Sequence, residues 1–163
     1  MIKNDGWIIR FGERGGLVPF DLEAVNPASY DISLGQQVNI DGVDYDLQRG
    51  PRQLNPQSKA IVVTNEYIKT PNDVAVTVRL KSSLARQMIL SPMGLFIDPG
   101  YQGNITFCLI NMGNQPYELR LGRRVGQFIF QSLNEPAEIP YGDERRKSHY
   151  QGSVGLTKNK STL

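Results

Sequence analysis

Glycine and proline punctuate this chain from end to end: sixteen Gly and ten Pro are spread over 163 residues. Proline removes a backbone donor and glycine loses the most backbone freedom on entering a helix. Such dense punctuation leaves room for short strands joined by turns and little room for long helices. A mainly β fold is predicted. Residues 73–80 alternate apolar and polar side chains with β-branched enrichment, and 104–110 and 124–130 read the same way. Residues 38–40 and 60–63 are shorter candidates. The best helical stretch is 82–88, about two turns at ~3.6 residues per turn, with Ser82 or Ser83 available to cap it.

The length fits one domain with a real core and is too short for a substrate domain plus a separate cofactor domain. With 39% hydrophobic and 21% charged residues the chain is globular rather than disordered. No apolar run approaches the roughly 20 residues of a membrane helix, and residues 1–7 lack the apolar stretch of a secretory signal. The single cysteine, Cys108, excludes an internal disulfide framework, so a reducing cytoplasm is the expected compartment. One Cys and one His cannot assemble a Cys/His zinc site, which excludes zinc hydrolase and zinc deaminase chemistry and leaves oxygen ligands for any metal.

The net charge of +2 is unevenly placed, since residues 145–163 carry five Lys or Arg and no acid. Three readings of this basic segment stand side by side. It is a solvated, partly disordered terminus, or an anion clamp in which Gly152 and Gly155 let backbone N–H groups converge on phosphates, or a nucleic-acid contact. The last is the weakest, because basic and aromatic residues do not interleave; neither nucleic acid nor membrane is expected as a partner.

Five blocks follow one another in order: Ser29-Tyr30-Asp31-Ile32-Ser33-Leu34-Gly35; Lys81-Ser82-Ser83-Leu84-Ala85-Arg86; Phe96-Ile97-Asp98-Pro99-Gly100-Tyr101-Gln102-Gly103; Arg123-Arg124-Val125-Gly126-Gln127; and Pro140-Tyr141-Gly142 with His149-Tyr150-Gln151-Gly152. Over about residues 25–157 the chain resembles the dCTP deaminase/dUTPase superfamily. The resemblance implies a distorted β-barrel of the dUTPase-like β-clip type with one short helix, spanning residues 1–144. Residues 145–163 would be a basic flexible tail closing over the phosphates. It further implies a homotrimer with active sites between subunits, and a deoxypyrimidine nucleoside triphosphate as substrate. By the same resemblance Asp98 activates water and Tyr101 discriminates the sugar. Lys81, Ser82, Ser83 and Arg86 contact the triphosphate and base, Gln127 is aimed at phosphate, and Tyr141, His149 and Tyr150 complete the substrate site. Magnesium would be bound through the substrate phosphates, with Asp31 in its outer sphere.

The residues support readings of their own. Asp98-Pro99-Gly100 is a turn signal at the mouth of a predicted hairpin, where a carboxylate can orient water or serve as an ordinary Asx-turn residue. Tyr101 offers a flat apolar face with a polar tip. Ser82 and Ser83 at a helix N-terminus suit phosphate oxygens, a role compatible with capping, and Lys81 and Arg86 flank them. Asp31 falls at a predicted loop-to-strand junction, where an Asp is more often structural than the outer-sphere ligand the resemblance implies. Gln127 is a polar outlier in an apolar strand, a residue of its solvent face unless it reaches phosphate as the resemblance implies.

Departures from the deaminase pattern bear on the chemistry. Those deaminases carry a Glu five residues after the Gly that closes the hairpin, and counting from Gly103 puts Cys108 there. A thiol, with an ordinary pKa of about 8.5, is mostly protonated at neutral pH and has one proton site. Between Phe107 and Leu109 it is predicted to be a small buried hydrophobe. Lys81 replaces an Arg fork with a point charge, His149 replaces a Lys, and 87–94 is one residue short and lacks a Thr-Ala pair. These departures favour dUTP diphosphatase, yielding dUMP and pyrophosphate. A dCTP deaminase, mono- or bifunctional, and a catalytically silent nucleotide-binding homologue are the alternatives.

Overall fold

The computed structural model describes residues 1–92 and 95–160. In chain order it forms α1 (Asp5–Phe11), a wide helical turn (Gly12–Gly16), β1 (Leu17–Val18), β2 (Val25–Asn26), β3 (Ser29–Ile40), β4 (Val43–Asp46) and β5 (Arg52–Leu54). There follow β6 (Lys59–Lys69), β7 (Val74–Leu80), α2 (Ser82–Ala85), β8 (Ile89–Leu90), β9 (Leu95–Ile97), β10 (Gln102–Asn111), β11 (Tyr117–Leu119) and β12 (Arg124–Ser132). The strands make one curled sheet of ten strands in a half-barrel, in the order β8-β10-β6-β3-β12-β7-β9. β1, β2 and β4 attach to its flanks, and β11 pairs with β5 separately. No helix among the described residues is long and apolar enough to cross a membrane.

The mainly β reading holds, with instructive differences. β3 runs for twelve residues from Ser29, and Tyr30 through Gly35 are all buried. Covered on both faces, this stretch shows no period of two, so only its far end had a strand signature. Asp31 therefore lies inside a strand and not at a junction. α1 was not read from the sequence, because seven residues with a glycine and two isoleucines make a poor isolated helix. Its stability comes from contact. Asn4 caps it by accepting the Trp7 N–H at 3.1 Å, Ile8 is fully buried, and Trp7 and Phe11 both lean on Phe130 at 5.3 Å between ring centroids. Each such large apolar burial contributes roughly 1.5–3 kcal/mol, more than a weak helix propensity costs.

The predicted helix at 82–88 is shorter than expected. α2 covers four residues, and Met88 at φ +58° turns the chain out of it. Neither serine caps it: the N-cap is Lys81, with no side-chain bond to the helix. Met93 and Gly94, within the shortened stretch 87–94, lie outside the described residues. The segment expected as a flexible tail beginning at 145 is laid back on the barrel as far as residue 160, with Ser153 buried and bridged to Gly103.

Candidate active site

Asp98 stands at a corner rather than in a hairpin. β9 pairs with β7 while β10 pairs with β6 and β8, so the turn 98–101 carries the chain from one end of the sheet order to the other across the curl. Three backbone hydrogen bonds to two segments pin it. The Gly100 N–H donates to Thr70 O at 3.2 Å, the Thr70 N–H donates to Tyr101 O at 2.8 Å, and the Tyr141 N–H donates to Pro99 O at 2.8 Å. Gly100 is required twice over: its φ is +88°, and a Cβ there would lie 2.7 Å from Pro140 Cβ. The Asp98 side chain is exposed and accepts no hydrogen bond among the described residues, so its lone pairs are free.

Beside it Tyr101 is buried and donates its hydroxyl to Asn104 O at 2.9 Å, its ring 5.5 Å from that of Tyr141. Burial pushes the Tyr101 hydroxyl up to about 12, which keeps it a neutral donor across the physiological range. These groups line a cavity of about 420 Å³. One wall is the corner itself with Leu95, Phe96 and Ile97; a second is Asn104, Ile105 and Thr106 of β10; the third is the C-terminal segment through Tyr141, Tyr150, Ser153 and Thr157. That third wall is tied down by backbone and side chain. The Tyr150 N–H donates to the Tyr141 hydroxyl at 3.1 Å, the Asn104 N–H to Ser153 O at 2.9 Å, and Gln151 bonds both Gly100 O and the Gln102 N–H. Asp98 is the one carboxylate lining the cavity.

A cavity of about 470 Å³ on β3 and β4 is larger. Its carboxylates are already engaged, Asp44 by Asn39 and Lys158 and Asp46 by Gln36 and the Gln48 N–H, so no free acid is left there for chemistry.

A second cluster gathers on the sheet around Asp31, which is buried opposite Gln127 in the β3–β12 register. It accepts from Gln127 Nε2 at 3.0 Å and Asn26 Nδ2 at 2.9 Å, and makes a close ion pair with Lys81. Burial works against its charge, but the hydrogen bonds from Lys81 and Gln127 win and hold the carboxyl below the ordinary carboxylate range. Lys81 and Gln127, expected to reach phosphate, are thus both engaged by Asp31. An outer-sphere magnesium role for Asp31 does not fit this arrangement, since a cation already sits on it and neutral donors occupy its other face. Among the described residues no three of His, Cys, Asp and Glu converge as metal ligands.

Of the residues singled out from the sequence, Asp98, Tyr101, Tyr141 and Tyr150 meet in one cavity, and Lys81 and Gln127 meet at Asp31. Ser82, Ser83, Arg86 and His149 are exposed and do not line the cavity. Sequence reasoning passed over Asn104 and Thr106, although strand alternation puts them on one face with position 108. Cys108 is accordingly half-exposed and not buried: the neighbours Phe107 and Leu109 take the core side of β10.

A family model described as dCTP deaminase-like matches residues 7–133. A dCTP deaminase of Pyrococcus horikoshii is 36% identical over 143 residues, covering 87% of this chain and 88% of that protein. A dUMP-forming dCTP deaminase of Bifidobacterium longum is 37% identical over 165 residues, covering 89% and 85% respectively. Among solved structures, the 2′-deoxycytidine 5′-triphosphate deaminase of Agrobacterium tumefaciens superposes with a TM-score of 0.71 at 23% identity over 80% of this chain. The match covers 48% of that longer chain. The dUTPase of Staphylococcus aureus phage phi11 superposes at 0.52 with 16% identity, over 69% of this chain and 80% of that one. Both structural likenesses are of fold.

Proposed function

The chain belongs to the dCTP deaminase-like family, and from that premise we propose that the Asp98 cavity binds dCTP and deaminates it hydrolytically. The names of the relatives favour this reaction over the dUTP diphosphatase reading drawn from the sequence, and so reverse the order of the two. The observation that carries the proposal is the cavity itself. A free carboxylate and a neutral tyrosine share a rigid corner, facing a wall made by the C-terminal segment. Water placed against Asp98 gives one proton through that carboxylate to N3 as its oxygen bonds to C4 and the C4=N3 double bond opens. The second water proton then passes to N4 as the C4–N4 bond breaks and C4=O forms, so that dUTP and ammonia result. Tyr101, packed against Tyr141, is the flat surface on which the deoxyribose rests.

Ser82, Ser83 and Arg86 do not line the cavity of their own protomer. In a homotrimer with sites between subunits they would serve the cavity of a neighbour, which gives these exposed donors a substrate to bind. Magnesium would be held by the nucleotide phosphates alone, and no step is assigned to it.

A second reading, dUTP hydrolysis to dUMP and pyrophosphate, is favoured by one specific observation. β10 places Cys108, and no carboxylate, on the same strand face as Asn104 and Thr106, which line the cavity, and attack at the α-phosphorus needs no acid beside the base. Incubation with dCTP and with dUTP, each with and without magnesium, and measurement of ammonia and pyrophosphate separates the readings. Ammonia from dCTP is expected. Pyrophosphate from dUTP without ammonia from dCTP would hand the site to the second reading, and neither product would refute both.

A further inference from the structure

Between α1 and the end of β6 lies a cavity of about 380 Å³ that shares no residue with the Asp98 site. Three cations from three elements meet there: Arg10 in the last turn of α1, Arg14 in the wide turn that follows, and Lys69, the last residue of β6. Among the described residues none of the three has an ion-pair partner or donates a side-chain hydrogen bond. Arg10 and Arg14 stand four residues apart, a spacing that sets like charges against each other on a helical face. Asp73 is the one acid in the lining.

The walls are built, not loose. Trp7 stacks on Phe11 at 4.9 Å and 14°, and both rings rest on Phe130. The turn carrying Arg14 is clamped onto this aromatic base, because a Cβ on Gly16 would fall 2.2 Å from the Phe11 ring and one on Gly12 equally close to Phe20.

We propose that this cavity is a second ligand site, which binds an oligophosphate anion: the phosphate chain of a nucleotide, or free inorganic triphosphate. Three exposed cations lining one cavity with a single carboxylate call for a ligand with several negative charges, and two guanidinium forks with one ammonium match phosphate oxygens. The site also touches the candidate active site through the backbone. Lys69 and Pro71 bracket Thr70, whose N–H and C=O brace Tyr101 and Gly100. That coupling rests on the proposed function; the binding does not.

Trp7 is the chain's single tryptophan and lines this cavity, so its emission reports on it. The full chain is titrated with sodium tripolyphosphate and separately with ATP, at an ionic strength held constant with sodium chloride. A saturable change in Trp7 emission is expected. Arg10→Gln and Lys69→Gln should each raise the half-saturating concentration about tenfold or more, as loss of a charged hydrogen-bond donor implies, and Asp73→Asn should lower it. Equal half-saturation by the two probes assigns the site to the phosphate chain alone; ATP acting about tenfold lower makes a nucleotide the source. The proposal is overturned if neither probe saturates. It is overturned equally if the half-saturating concentration is unmoved by Arg10→Gln and by Lys69→Gln in protein whose circular dichroism and thermal midpoint match the parent. No turnover enters the readout, so failure of the deaminase reading would leave this result standing.

Discussion

Asp98 and Asp31 occur in different blocks of the same pattern, yet their surroundings give them different work. The Asp31 carboxyl is buried and engaged by Lys81, Gln127 and Asn26, whereas that of Asp98 is exposed, unbonded among the described residues, and aimed into a cavity. Asp98→Asn keeps the shape of the corner, whose hydrogen bonds are made by backbone atoms. Turnover should fall by about 100-fold or more while nucleotide affinity stays within about tenfold; parental turnover in the variant would remove Asp98 from the chemistry. Position 108 offers a converse test. Because it is only partly buried, a carboxylate there meets less desolvation than at a core site. Cys108→Glu should therefore fold and release ammonia from dCTP several-fold faster than the parent, as a second proton carrier beside the base would allow. An unchanged or lower rate in the folded variant would show that the base does not approach this face of β10.

At the scale of elements, the C-terminal segment is the one whose removal separates stability from function. No fully buried apolar residue lies beyond Phe130 among the described residues, and the segment's part in the core is limited to the partly buried Tyr141 and Tyr150 packed against it. It nevertheless supplies the third wall of the cavity and pairs with Gln102 and Asn104 at the start of β10. Deleting residues 149–163 should leave a folded barrel with a thermal midpoint lower by a few degrees, and cut turnover by about 100-fold, as expected when a covering wall is lost. A collapse of the thermal transition would instead make the segment part of the fold's foundation. The short α2 teaches a related lesson: a single turn without a side-chain cap presents Ser82 and Ser83 outward because it is too short to bury them.

For the whole molecule, the half-barrel encloses, among the described residues, one buried carboxyl without a direct counter-charge. Glu66 of β6 is buried and accepts from the Ser33 N–H and hydroxyl, the latter at 2.7 Å. Burial outweighs these bonds and raises its carboxyl above the ordinary glutamate range. A raised folded-state value means that its contribution to stability is complete below the unfolded-state value, about 4.3, and is lost as pH rises through the folded one. Glu66→Gln, which carries no charge at any pH, should raise the thermal midpoint relative to the parent at pH 8, and that advantage should shrink toward pH 4. A variant whose disadvantage grows with pH would show that the ionised carboxylate is the form the barrel prefers.

The sequence alone determined the class of fold, a turn at Asp98 and the family resemblance, because each is local; that this turn is a corner across the curl and not a hairpin was decided by strand pairing. Glycine and proline exclude long helices wherever they stand; alternation along 73–80, 104–110 and 124–130 imposes strands whatever lies beside them; and Asp98-Pro99-Gly100 turns the chain by its own dihedral preferences. Tertiary structure decided everything that needs two distant segments. β3 is a strand because both of its faces are covered, and α1 is a helix because Phe130 receives its rings. Lys81 and Gln127 point at Asp31, fifty and ninety-six residues away, and not at a site of their own. Tyr141 and Tyr150 reach Tyr101 and Asp98 only because the C-terminal segment folds back across the curl of the sheet. Such pairings depend on which surfaces bury one another, and no local propensity encodes that choice.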